Sequence, residues 1–207
     1  VRHPDGSLDG VRAALPPEAH ALLDREEESG VPASGAWISL PGGDVLFAVV
    51  DLQSRGFIDS PEDVLRAAQA RAVRLRVTEE IRGFTADSGS GTEPAVVIGG
   101  DLNLVGSRVP MRLLSTRLYA DETVLSPVDA ERIGERALTT WRDARQPFLP
   151  GRLDFLLLPT TKLAVENAFV FTTEDLDDEM LATLGLEREL SASIADHLVV
   201  VADVRVR

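Results

Sequence analysis

Cysteine is absent from all 207 residues, so no disulfide framework, no thiolate zinc site and no cysteine nucleophile can be drawn. Compartment stays open for the same reason. Positive charge is scarce. Lys162 is the only lysine, and 21 Lys and Arg against 34 Asp and Glu leave a formal net charge of −13. That balance argues against a broad surface tracking duplex phosphates, because such surfaces gather Lys and Arg on a basic domain. Aromatic residues make up 5% and do not interleave with basic ones, which weighs against stacking platforms for single strands. Long apolar runs are missing too. The stretches 45–50 and 198–202 are strand-sized and far below the ~20 residues a membrane helix needs, so no membrane span is expected. The first residue is Val1, and residues 1–10 have neither the charged start nor the apolar run of a secretion signal. A longer natural product is therefore expected.

What is present is ordinary for a globular protein: 44% hydrophobic and 27% charged residues, enough for one core. Residues 1–34 are poorly patterned, with a short helix expected over 15–28. Residues 35–207 carry the clear patterns. Strands are predicted at 35–40 and 45–52 around a Pro41-Gly42-Gly43 turn. Ser60-Pro61-Glu62-Asp63 then supplies a cap, a first-turn proline and two acids at the positive helix end. It opens an amphipathic helix whose apolar positions are Leu65, Ala68, Ala72, Leu75 and Ile81. The Ser/Gly-rich stretch 85–92 reads as a loop. Residues 95–100 form a short continuous apolar run ending in glycines, which suits a strand buried on both faces. Further strands are expected at 152–158, 164–171 and 198–206, with an irregular acidic segment over 172–179. The class is mixed α/β.

Three clusters share one layout, a hydrophobic strand with acids, an amide or an imidazole at or beside its end: Gly100-Asp101-Leu102-Asn103, Arg152-Leu153-Asp154-Phe155 and Ala195-Asp196-His197. Asp101 and Asn103 lie two apart, so on an extended backbone both side chains point to one side. Hard cations such as Mg²⁺ take oxygen donors of this kind, usually one or two carboxylates plus substrate phosphate. An imidazole at the position of His197 suits acid, base or phosphoryl contact. Taken singly, the clusters also read as a strand-to-turn transition, a local ion pair and a cap. The set of three in one order is what points to a site.

Those motifs resemble the G-D-x-N, R-x-D-[YF] and S-D-H signatures of the endonuclease/exonuclease/phosphatase (DNase I-like) superfamily, and Thr140-Trp141 resembles the T-W that commonly precedes the R-x-D strand. The resemblance covers roughly residue 36 to the C-terminus. It implies a two-sheet α/β sandwich with outer helices and a site at one end of the sheets, and a hydrolase of phosphodiesters or phosphomonoesters using Mg²⁺ or Mn²⁺. Asp101 would orient or deprotonate the attacking water, Asn103 stabilise the phosphoryl group and Asp154 orient the imidazole. His197 would contact the scissile phosphate, and Asp196, with Asp101, would serve the metal. Asn103, Asp51 and Arg152 are the expected substrate-binding residues. A phosphorylated small molecule, a lipid head group and a nucleic acid are all compatible substrates.

The departures are as informative. The family's first strand bears an Asn, and a Gln-Glu pair follows whose Glu is the principal metal ligand. Here the only asparagines are Asn103 and Asn167, and Glu26, Glu27 and Glu28 read as a solvated face. The N-terminal strands of the sandwich are thus expected to be missing, with a companion N-terminal fragment as one source of them. Val49-Val50-Asp51-Leu52-Gln53-Ser54 resembles a strand usually reading His-Leu-x-Ser, with Asp51 at the histidine position, and Ala195 stands where serine is usual. Asp51 supports an alternative, a non-catalytic binding or scaffold member of the same fold.

Overall fold

The computed structural model describes residues 32–89, 91–143 and 145–207. The helix expected over 15–28, and Glu26, Glu27 and Glu28, lie outside the described residues. Strands β1 (Ala33–Leu40) and β2 (Gly43–Asp51) form an antiparallel hairpin. Helix α1 (Pro61–Ser88) follows, its N-terminus closed by Ser60, whose hydroxyl accepts from the Asp63 amide. The helix extends four residues into the stretch expected to be a loop. The hydroxyls there bond back along the helix: Thr85 Oγ1 donates to the Ile81 carbonyl at 2.8 Å and Ser88 Oγ to that of Thr85 at 3.2 Å.

Strand β3 (Ala95–Asp101) pairs parallel with β2, and α2 (Val109–Ser115) packs on α1. Short strands β4 (Ser126–Pro127) and β5 (Glu131–Arg132) precede β6 (Asp154–Leu158), β7 (Leu163–Phe171) and β8 (Val199–Val206). The segment expected to be irregular and acidic is a 3₁₀ turn (Thr173–Asp175) running into α3 (Asp178–Leu184), because Asp177 caps the helix by accepting from the Met180 amide at 2.8 Å. Helix α4 (Leu190–Ile194) leads to β8. One sheet has the order β1-β2-β3-β6-β4 and the other β5-β7-β8. Among the described residues no helix is long and apolar enough to cross a membrane.

Two cores sit on opposite faces of the larger sheet. Leu46, Ala48, Val50, Val96 and Ile98 pack beneath Val73, Val77 and Ile81 of α1 and Leu114 of α2. On the other face Val45, Ala95 and Val97 meet Leu158 of β6 and, from the second sheet, Leu163, Ala202, Val204 and Val206. Strand β3 therefore lies between two apolar layers, which is why its sequence is continuously apolar instead of alternating. The buried face of α1 differs from the expected one. It runs through Asp63, Leu65, Arg66, Gln69, Ala70, Val73, Val77 and Ile81, while Ala68, Ala72 and Leu75 lie half-buried beside it. Its first two turns bury polar groups, and that mixture hid the true face from the apolar pattern.

Candidate active site

Strand register brings the acids together. Asp51 and Asp101 are partners at the ends of the parallel strands β2 and β3, and Asp101 pairs with Asp154 across the antiparallel β3 and β6. The strands approach closely because residue 100 is glycine. A Cβ there would lie 2.0 Å from the Val50 carbonyl oxygen, and the residue holds φ 128°, a conformation glycine adopts freely. Asp101 ends β3 and its carboxylate turns back to accept from the Asn103 amide at 2.8 Å. Asn103 is not extended, as its spacing from Asp101 suggested. It takes φ 45°, a left-handed state asparagine tolerates, and its Nδ2 donates to the Leu52 carbonyl at 2.7 Å. Asn103 thus links the two strand ends.

His197 arrives from the other sheet, just before β8. The connection is a strap at Thr140-Trp141. Trp141 bridges antiparallel to both Gly151 and His197, and the Leu198 amide donates to the Thr140 carbonyl at 2.7 Å. Thr140 is 1% exposed, and its hydroxyl oxygen accepts from the amides of Leu153 at 3.0 Å and Asp154 at 2.9 Å. The strap therefore fixes the head of β6 and the head of β8 in one place. His197 Nδ1 lies 2.8 Å from Asp154 Oδ2, and its Nε2 lies 3.8 Å from Asp101 Oδ2. Trp141 Nε1 donates to Asp196 Oδ2 at 3.0 Å, which holds the adjacent carboxylate.

The electrostatics follow from this crowding. Burial pushes the Asp101 carboxyl up to about 6, helped by the charges of Asp154 and Asp51, against the Asn103 hydrogen bond and the His197 imidazole, which lower it. For His197, burial lowers the pKa, but the Asp154 hydrogen bond and the charges of Asp154, Asp101 and Asp196 outweigh it, and the net shift is upward. An imidazole bonded to Asp154 through Nδ1–H turns Nε2 toward Asp101. The 3.8 Å separation there is too long for a direct hydrogen bond, so the two groups meet as neighbouring charges.

Asp101, Asn103, Asp154 and His197 come together at one end of the sheets, with Asp51 and Asp196 beside them. Arg152 is engaged elsewhere. Its guanidinium donates to the Val128 carbonyl, pairs with Asp129 at 3.3 Å and lies 4.5 Å over the Phe155 ring. As candidate metal ligands, Asp101 and Asp196 offer the hard oxygens a divalent cation takes. Two carboxylates match the one or two that Mg²⁺ usually takes beside substrate phosphate; among the described residues no group of three or more His, Asp or Glu is arranged to hold an ion. A cleft of about 890 Å³ opens beside Asp196, lined in part by Arg142, Arg145, Phe148 and Ile194.

Two sets of residues escaped the sequence reading. Thr140 carried only a family echo, with nothing local to reveal its two backbone bonds. Asp63, Arg66 and Gln69 did leave a signal, a polar row at three-residue spacing on one helix face, but polar rows on helices ordinarily face solvent.

No curated protein matches the sequence. Among solved structures, the human Nocturnin catalytic domain with bound sulfate is 17% identical with TM-score 0.45, covering 84% of this chain and 52% of that one. The Bacteroides thetaiotaomicron mannosyl-6-phosphatase is 14% identical with TM-score 0.45, covering 84% and 56%. A Neisseria 3′ phosphatase bound to product DNA hairpin is 18% identical with TM-score 0.43, covering 82% and 63%. The chain thus spans less than two thirds of the length of each of these structures. Residues 24–197 match the model of the Endonuclease/Exonuclease/phosphatase family, and the chain belongs to that family.

Proposed function

We propose that the chain carries part of a site that hydrolyses phosphoric esters, with His197 and Asp101 acting on the phosphoryl group and the attacking water. The observation that carries this is the His197 imidazole held by Asp154 at 2.8 Å with its other nitrogen facing Asp101 at 3.8 Å. Asp154 accepts the Nδ1 hydrogen and orients the ring. His197 Nε2 then hydrogen-bonds a phosphoryl oxygen, and Asp101, whose carboxyl is pushed up to about 6, takes a proton from water more readily than an ordinary carboxylate. Asn103 holds the strand ends that carry these groups and stands beside the phosphoryl position. A divalent cation, Mg²⁺ or Mn²⁺, belongs to the proposal as the group that neutralises developing charge and lowers the pKa of water, with Asp196 and Asp101 as this chain's donors. A phosphorylated small molecule, a lipid head group and a nucleic acid all remain open as substrates.

The test is turnover of a phosphodiester and a phosphomonoester with Mg²⁺ or Mn²⁺ supplied, in a protein that includes the upstream strands the full site needs. His197→Ala and Asp101→Ala should each lower the rate by a factor of ~10² or more, as loss of a positioned acid, base or charge-stabilising group does. A rate unchanged by either substitution overturns the assignment.

A second reading, a non-catalytic binding member, is favoured by Asp51. A carboxylate stands there beside Asp101 and adds to its charge crowding, where the family commonly has an imidazole. Asp51→His separates the two. A gain in turnover marks a decayed site, and a loss marks a carboxylate recruited for this protein's own substrate.

A further inference from the structure

The ends of β2 and β3 are held by buried polar groups that none of the site motifs contains. The first turns of α1 face these strand ends, and Arg66, with its side chain wholly enclosed, sits at their centre. Its Nε donates to the Gln53 carbonyl at 2.7 Å, Nη1 to Asp63 Oδ1 at 2.9 Å, and Nη2 to the Arg55 carbonyl. Gln69 Oε1 accepts from the Gln53 amide at 2.7 Å. Together these fix the segment that leaves Asp51.

The same ion pair reaches the other loop. Asp63 Oδ1 also accepts from the Ser107 amide at 2.9 Å, which pins the turn that follows Asn103. Gly106 lies so close that a Cβ there would be 2.3 Å from Asp63 Oδ1 and 3.1 Å from Arg66 Nη1. The Asn103 side chain closes the circuit through the Leu52 carbonyl. A buried ion pair is a weak source of stability, since apolar residues of similar volume often serve as well or better. A guanidinium fork is instead suited to holding several acceptors at fixed angles.

We propose that Arg66 is a positioning residue for the site: through Gln53 and Arg55 it sets Asp51, and through Asp63 and Ser107 it sets Asn103, both relative to Asp101. What it positions rests on the phosphoesterase reading above; that it braces the two loops does not.

The experiment uses the 207-residue chain with two variants, Arg66→Lys and the double variant Asp63→Leu/Arg66→Met. Lysine keeps the charge but not the fork, and the double variant replaces the pair with apolar volume. Amide hydrogen exchange by NMR reads the brace directly. In each variant that folds, the Gln53 and Ser107 amides should exchange roughly tenfold faster or more, as a locally opened segment does, while those of Val97 and Ile98 in β3 keep the wild-type rate. Loop amides as protected as in wild type overturn the proposal. So does equal loss of protection in β3, or failure of both variants to fold, either of which makes Arg66 a residue of the fold alone. Turnover is measured in parallel on bis(p-nitrophenyl) phosphate with Mg²⁺, where Arg66→Lys should lower kcat with little change in KM. If this chain alone turns over no phosphoester, the exchange result by itself decides the brace, and the function proposed above is judged on the protein that also carries the N-terminal strands of the family's site.

Discussion

His197 has two unequal neighbours, and the inequality defines what each residue can do. Asp154, at 2.8 Å, is a hydrogen-bond partner that orients the ring. Asp101, at 3.8 Å, is close enough to act on the ring's charge and too far for a direct hydrogen bond. The orientation depends on Thr140, whose single hydroxyl oxygen accepts two backbone amides at the head of β6. Thr140→Val keeps the shape and removes that acceptor, leaving two amides without partners in an enclosed place. We expect a loss of about 1–3 kcal/mol in urea unfolding, and a fall in any phosphoesterase turnover larger than that of a similarly destabilised variant remote from β6. Equal turnover after correction for the folded fraction would show that Thr140 supports the fold without positioning Asp154. These residue types were legible in the sequence because strand ends advertise themselves: an apolar run stops and acids begin. Thr140's role was not, since it depends on which amides happen to face one hydroxyl.

Among the elements, α1 departs most from its sequence pattern. Its start was plain from Ser60-Pro61-Glu62-Asp63, but Asp63 is 4% exposed instead of lying at a solvated helix end. Burial raises its pKa, and amide bonds from Ser107 and Asp59 together with the Arg66 charge more than offset that, so the net shift is downward. A depressed carboxyl contributes stability above its unfolded pKa, near 3.9, and loses it as pH falls through the folded value. Wild type should therefore be more stable than Asp63→Asn at neutral pH, and the difference in urea midpoint should narrow as pH falls below about 4. A constant difference down to pH 3 would mean that the carboxylate charge does not matter there. Strand β3 gives the opposite lesson. Its continuous apolar run announced burial on both faces, and both cores are found against it.

Across the whole molecule, negative charge dominates at a formal −13, and the site shares in it through Asp51, Asp101, Asp154 and Asp196. Like charges this close repel unless one is protonated or a cation neutralises them. The glutamate that is the family's principal metal ligand has no counterpart in this chain's motifs, so Mg²⁺ or Mn²⁺ should bind the chain weakly, and Asp196→Ala should weaken it further by calorimetry. Tight binding unaffected by Asp196→Ala would remove Asp196 from the metal site.

The sequence by itself determined the family, the two-sheet α/β class and the acids at the strand ends. These are local signals of period, cap and motif, written into neighbouring residues by the geometry of strands and helices. Only the tertiary structure decided that Asp101 and Asp154 face each other, that Thr140-Trp141 straps β6 to β8, and that Arg66 braces both loops. Each of those depends on groups that are distant in the chain, as Asp63 is from Ser107 or Thr140 from Leu198, meeting within hydrogen-bond distance. Packing of the two sheets and α1 creates such meetings. A single sequence carries no record of which buried donor will find which acceptor, because many pairings satisfy the same polar groups and the packed fold selects one.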